Sequence, residues 1–396
     1  MTTKELPLWR RTGVDLRLLL MCVLLIALAV GFHIFSGGLF LTPENLYNLA
    51  QQTAVVGIVS TVMVLIIVAR HIDLSVGSVM GFIGVLIAYL QYTSGWPWPA
   101  ACLAGLAVAL LVSLYQGWLT AGLGVPSFVV TLGGLMSFRG AAFLVADGKT
   151  QPVNDPVFQM LGGGYDGGIG TTWTWLVAAA IAVVLVARMV QKRSARARHG
   201  MPNQPLVLDV MVTAAPILVV LAFAAVMNDY RIGNKETAQG LPIPVLIWAA
   251  VAVGLSFLVH RTRFGRYVFA MGGNPDAAAL VGIPVRRVTL MLFALLGVLV
   301  TVAAIVSIAR LNAGTNSLGT GAELYVIAAA VIGGTALSGG AGSIFGSVLG
   351  ALIMQSLDSG MLLLDVSIGK RMVIIGQVLI VAVVFDVLYR RKFGEA

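Results

Sequence analysis

Among the carboxylates that stand inside otherwise apolar stretches of this 396-residue sequence are Asp73, Glu323 and Asp358. Asp73 has Ser75 and Ser78 beside it, Glu323 follows Asn312 and Asn316, and Asp358 lies between Gln355 and Ser359. Further amides and hydroxyls interrupt apolar runs at Gln51, Gln52 and Thr53, and at Thr131 with Ser137 and Arg139. Groups of this kind can hydrogen-bond a small polar solute and release it again. Covalent chemistry finds no support in the spacing. His33, His71, His199 and His260 are scattered without ligand spacing, Cys22 and Cys102 fall in apolar runs, and no nucleophile, base and orienting acid form a set. Neither a metal site, nor a disulfide, nor a cofactor is expected.

The elements that must position these groups follow from composition. With 59% hydrophobic and 10% charged residues, no soluble core could hide the apolar surface, and the solvent must be lipid. Backbone amides in lipid must pair within their own segment, which predicts an all-α polytopic bundle. Apolar windows place about twelve spans, near 16–35, 46–69, 74–92, 98–120, 126–146, 173–190, 208–227, 241–260, 289–309, 324–341, 343–364 and 372–389. The apolar run from Leu18 to Phe35 reads as an uncleaved first span, and residues 1–396 as one transmembrane domain.

A net charge of +9 gathers in blocks between spans: Lys4, Arg10, Arg11 and Arg17, then Arg188 to Arg198, Arg261 to Arg287, and Arg390 to Lys392. Clustering of this kind is the positive-inside pattern and not a nucleic-acid face. It predicts both termini in the cytoplasm, with 147–172 and 228–240 as external loops. Ionised groups at membrane depth are costly, so Asp73, Glu323 and Asp358 should face protein or water. Asp73 reads first as a cap for free helix amides. For Glu323 a plain helix start and a place at the external mouth stand level. Gln51, Gln52, Ser75, Ser78, Thr131, Asn312 and Asn316, with the carboxylates, outline a wet route.

Glycine interrupts the apolar pattern around 70–77, 125–140 and 333–342, where broken or re-entrant helices are expected. The pairs Gly77 and Gly81, Gly342 and Gly346, and Gly346 and Gly350 have the spacing that lets helix backbones approach closely. A short echo joins Gly77-Ser78-x-x-Gly81 with Gly342-Ser343-x-x-Gly346.

Within the inner loop 261–288, Asn274 can cap a short helix, with Pro275 at its first position, Asp276 in its first turn and Gly282 as terminator. Ala277, Ala278 and Ala279 leave that helix smooth enough to enter a groove on another protein. The run Asp276-Ala277-Ala278-x-x-x-Gly282 resembles the cytoplasmic coupling motif of ATP-binding-cassette importer permeases, with Asp where Glu is usual. His71-Ile-Asp-Leu-Ser-Val-Gly77, Val125-Pro-Ser-Phe-Val-Val-Thr-Leu-Gly133, Phe264-Gly-Arg with Gly272-Gly-Asn274, and Gly333-Gly-Thr-Ala-Leu-Ser-Gly-Gly340 are similar to the ribose/xylose/galactose class of those permeases. The basic loop and span pair between Arg188 and Leu241 resembles an insertion in the xylose branch.

The resemblance implies a homodimeric pore in a bacterial inner membrane, moving a monosaccharide, D-xylose on the branch likeness, by alternating access. It also implies cytoplasmic ATPase subunits carrying ATP and Mg, and a periplasmic sugar-binding protein. The sequence has no G-x-x-x-x-G-K-[ST] run of its own. The competing reading is a secondary transporter of a small polar solute driven by an ion gradient.

Overall fold

The computed structural model describes residues 16–201, 203, 205–233 and 237–393, the side chains of Leu16 and of residues 389–393 excepted. Lys4, Arg10 and Arg11 lie outside the described residues, as do the side chains of Arg390, Arg391 and Lys392. The described chain is all-α but for one two-residue ladder. It opens with α1 (Leu16–Phe35), α2 (Pro43–Val68), α3 (Val76–Tyr92), α4 (Trp98–Ala121) and α5 (Ser127–Ala146). Strand β1 (Gln151–Pro152), the short α6 (Pro156–Met160), α7 (Gly170–Arg198), α8 (Leu206–Asp229) and α9 (Ile243–Arg261) follow. The chain continues through α10 (Arg263–Gly273), α11 (Pro275–Leu280), α12 (Val285–Leu311) and β2 (Ala313–Gly314) to α13 (Ala322–Ile332), α14 (Ile344–Leu363) and α15 (Ile368–Phe393).

Ten of these helices are long and apolar enough to cross a membrane, and α3 and α13 are shorter apolar helices. Together they account for the spans read from the sequence, and the chain is a multi-pass membrane protein. α2 and α12 are central. Ile58, Met63, Leu65, Ile66 and Ile67 are fully buried on every side of α2, as expected of a helix apolar all round. By contrast α7 and α8 pack mainly on each other, with Met227 of α8 reaching a small cluster around Tyr47 and Leu241.

Contacts sort the connections to two ends. Arg17 pairs with Asp386 at 3.0 Å and donates to the Val331 carbonyl, while Gly340 N–H donates to Val68, which abuts Gly272. The start of α1, the C-terminal parts of α2, α13 and α15, and the α10–α11 segment therefore share one end. This is the basic end, with exposed Arg261, Arg266, Arg286 and Arg287. At the far end β1 pairs antiparallel with β2, Ile169 N–H donates to Leu241, and the Tyr47 and Tyr230 rings lie 4.6 Å apart.

The structure corrects three expectations. No break occurs within 127–140: α5 is continuous from Ser127, and its Gly133, Gly134 and Gly140 are not among the glycines that take positive φ. The span expected over 324–341 stops at Ile332, where Gly334, Gly339 and Gly340 take positive φ, a conformation that favours glycine. The loop expected over 147–172 ends earlier, since α7 begins at Gly170, and it is folded, with Asp155 capping α6 through the Phe158 amide.

Candidate functional site

Two non-helical stretches enter the bundle, one from each end, and each delivers a helix N-terminus to its interior. The first is 70–75. Its amides are paired by side chains of neighbouring helices: Ile72 N–H with Ser127 Oγ (3.1 Å) and Leu74 N–H with Thr131 Oγ1 (3.1 Å). Asp73, 1% exposed, accepts from the Ser75 amide at 2.7 Å and the Ser75 hydroxyl at 2.8 Å, and Gln116 Nε2 donates to that hydroxyl at 2.9 Å. Irregular backbone survives at depth only when buried and satisfied in this way. Asp73, Ser75 and Thr131 are thereby engaged in holding the approach to α3, whose N-cap is Ser75, and Asp73 does so by a turn bond to Ser75 two residues on.

The second stretch is 312–321. Asn312 ends α12 in the left-handed region, φ 52°, and its carbonyl accepts from Val153 N–H at 2.9 Å. From there the chain descends along α3. A side chain at Gly314 would meet Ala88 and Gly84, one at Gly319 would meet Gly77, and the Leu318 carbonyl lies against Gly81. Glycines on α3 are what admit this backbone. Arg139 of α5 holds it, Nη1 donating to the carbonyls of Asn316 (3.0 Å) and Leu318 (2.8 Å). α13 then starts beside Gly77 with Glu323 in its first turn. The helix start proposed for Glu323 is observed, and it lies inside the bundle.

The N-termini of α3 and α13 thus face a common region, each with a carboxylate, Asp73 and Glu323, where the helix dipole favours negative charge. Ser78 Oγ, Asn316 Oδ1 and Glu323 Oε2 are buried around this junction without a hydrogen-bond partner in the protein. Buried polar atoms are otherwise nearly always paired, so these are the groups with capacity left for water or solute. Alongside lies a narrow cleft of about 10 Å³, room for a single water, between α2, α3 and α13, walled by Val55, Val56, Val59, Met80, Ala322 and Val326. Its walls are apolar where the sequence suggested a wet route.

The remaining polar candidates form a separate set nearer the far end. Gln355 Nε2 donates to Gln52 Oε1 at 2.7 Å, Ser359 Oγ to Asn45 Oδ1 at 3.1 Å, and the Tyr325 hydroxyl to Asp358 at 2.9 Å. Arg371 lies 3.5 Å from Asp358. Gln51 points elsewhere, its amide donating to the Gly163 carbonyl, which also accepts from Tyr47. No group of His, Cys, Asp and Glu suited to a metal occurs among the described residues.

At the basic end Asn274 Oδ1 accepts from Ala277 N–H at 3.0 Å, Pro275 opens α11, Asp276 lies in its first turn, and Gly282 has φ 85°. Ala278 points inward and is 4% exposed. Beyond it Leu280 and Val281 are 88% and 79% exposed, an apolar tip on a polar surface. Sequence reasoning missed this tip, although two adjacent aliphatics just before a terminating glycine were there to be read.

Helices discontinuous inside the bundle, meeting at a polar junction, with a capped helix projecting from the basic end, define a membrane permease. The chain belongs to the branched-chain amino acid transport system / permease component family, whose profile matches residues 45–383. It is similar to the xylose transport system permease protein XylH of Haemophilus influenzae, 37% identical over 386 residues covering 97% of this chain and 100% of that protein. XylH of Escherichia coli K12 is 36% identical over 96% of this chain and 94% of its own. The ribose import permease protein RbsC of the same strain is 31% identical over 88% and 87%. No solved structure matches the chain.

Proposed function

We propose that this chain is the permease subunit of an ATP-driven importer in a bacterial inner membrane, that its cargo is a monosaccharide, D-xylose, and that it works as a homodimer. Support for the cargo comes from the xylose permeases to which it is similar across nearly its whole length. The observation that carries the mechanism is the exposed tip of α11. A helix of six residues, capped by Asn274, presents Leu280 and Val281 to solvent on the basic end. Apolar side chains so exposed, outside the lipid-facing spans, mark a surface for a protein partner. In this reading that partner is a cytoplasmic ATPase, both termini are cytoplasmic as the basic blocks suggest, and the far end, with 147–169, receives a periplasmic sugar-binding protein.

In this reading Asn274, Asp276, Ala277 and Gly282 shape the coupling helix, Ala278 seats it on the permease, and nucleotide binding by the ATPases moves it. The free energy enters through the partner, and the permease needs only two packings of similar stability. Solute passes between α2, α3 and α13 once they part, since the cleft there, about 10 Å³, is closed to a sugar in this structure. The junction of Ser78, Asn316 and Glu323 and the Gln52, Gln355 and Asp358 set supply hydrogen bonds along the way.

The test is reconstitution with the ATPase and binding protein that co-purify from native membranes. Labelled xylose should accumulate unchanged and only with ATP. Leu280→Asp with Val281→Asp should release the ATPase by roughly thirtyfold or more, the scale of an interface hot spot, and leave membrane insertion intact. Uptake driven by an ion gradient without the ATPase would overturn the reading.

A further inference from the structure

Three segments meet at the basic end with their backbones in close approach and one side chain, that of Arg70, among them. A methyl group at Gly272 would overlap the Val68 carbonyl, one at Gly339 would overlap the Arg70 side chain, and one at Gly340 would stand 3.1 Å from the Gly273 Cα. Gly340 N–H closes the joint by donating to Val68 at 2.9 Å. The C-terminus of α2, the α10–α11 turn and the α13–α14 connection are therefore packed backbone to backbone. Backbones in contact this close have little room to absorb a displacement.

Arg70 pins the joint. Its Nε donates to the Gly272 carbonyl at 2.7 Å and its Nη2 to the Gly273 carbonyl at 2.5 Å. Those carbonyls end α10, one residue before the Asn274 that caps α11. A guanidinium suits the negative end of a helix, and its planar fork loses little freedom in making both bonds. The backbone of Arg70 itself is left-handed, φ 65°, a conformation that favours glycine. A non-glycine residue persists there only where its surroundings over-determine it.

Resting on the importer reading above, we propose that Arg70 is a positioning residue that transmits displacement of α10–α11 to α2. From the joint α2 runs to Val59, Val56 and Gln52, so a push on Gly272 and Gly273 reaches the cleft wall directly. Through Gly339 and Gly340 the same push reaches the connection that follows α13.

Arg70→Gly separates transmission from mere stability, because glycine relieves the backbone while removing the guanidinium. In proteoliposomes holding the whole complex, ATP hydrolysis and xylose uptake are measured together. The Arg70→Gly complex should keep its ATPase subunits and hydrolyse ATP at close to the normal rate, while sugar moved per ATP falls about tenfold or more for the loss of two charge-assisted bonds. Arg70→Lys, with one point donor, should fall between. A normal sugar-to-ATP ratio in either variant overturns the proposal, and so does loss of uptake only through release of the ATPase, which would make Arg70 a docking residue. Failure of the unaltered complex to import with ATP is a different result, and removes the importer reading instead.

Discussion

At Gly77 the constraint is a neighbouring carbonyl: a side chain there would overlap Gly319 O and Glu323. Gly77→Val should destabilise the purified protein by about 1–3 kcal/mol, as overpacking does, read as a lower thermal midpoint in detergent. Gly254→Ala, mid-helix where an added methyl meets nothing within 4 Å, is the control and should hold or slightly raise the midpoint, alanine being the better helix former. Asn274 works through a single bond to the Ala277 amide. Asn274→Ala should cost α11 about 1 kcal/mol and Asn274→Ser almost nothing, so xylose uptake should fall in the first and persist in the second. Residues such as Asn274 and Gly282 were legible in the sequence because a cap or a left-handed turn is decided by chemistry within a few positions. Arg70 and Arg139 were not legible in the same way. Their partners, Gly272 and Gly273 for one and Asn316 and Leu318 for the other, lie about 180–200 positions away along the chain.

Among the elements, α1 and α15 are held to the bundle by an ion pair as well as by packing. Arg17 and Asp386 are largely buried, 15% and 7% exposed at the side chain, and Arg17 also donates to the Val331 carbonyl. Removing one member of a buried ion pair typically costs about 3–5 kcal/mol. Arg17→Met should therefore lower the thermal midpoint, and adding Asp386→Leu should recover a large part of the loss. Most helices were readable from apolar runs of membrane length. α13 was overextended because the residues after Ile332 remain apolar on average, and only the positive φ of Gly334, Gly339 and Gly340 ends it. The descent of 313–321 escaped notice for the opposite reason: its polar residues look like an external loop until α3's glycines and Arg139 are seen to receive it.

On the scale of the molecule, α7 and α8 form a hairpin attached near its base. Ile169 and Gly170 amides donate to the Leu241 and Gln239 carbonyls, so the chain enters and leaves at the same end. Excising 171–238 with a short linker should preserve the orientation of every later helix. The protein should still insert and run as a single species on size exclusion, with a lower thermal midpoint for loss of the packing around Met227 and Tyr47. Misoriented α9 to α15, read by protease accessibility of the 261–288 loop, would contradict this. Hydropathy, the placing of arginine between apolar runs and local capping signals determined by themselves that this is a polytopic helical protein with a short capped helix at its basic end, because lipid imposes those patterns segment by segment. Tertiary structure alone decided that two helix starts meet inside the bundle, which polar atoms there remain unpaired, and that Arg70 ties α2 to α10. Each of those depends on segments distant along the chain packing closely enough for backbone to touch backbone.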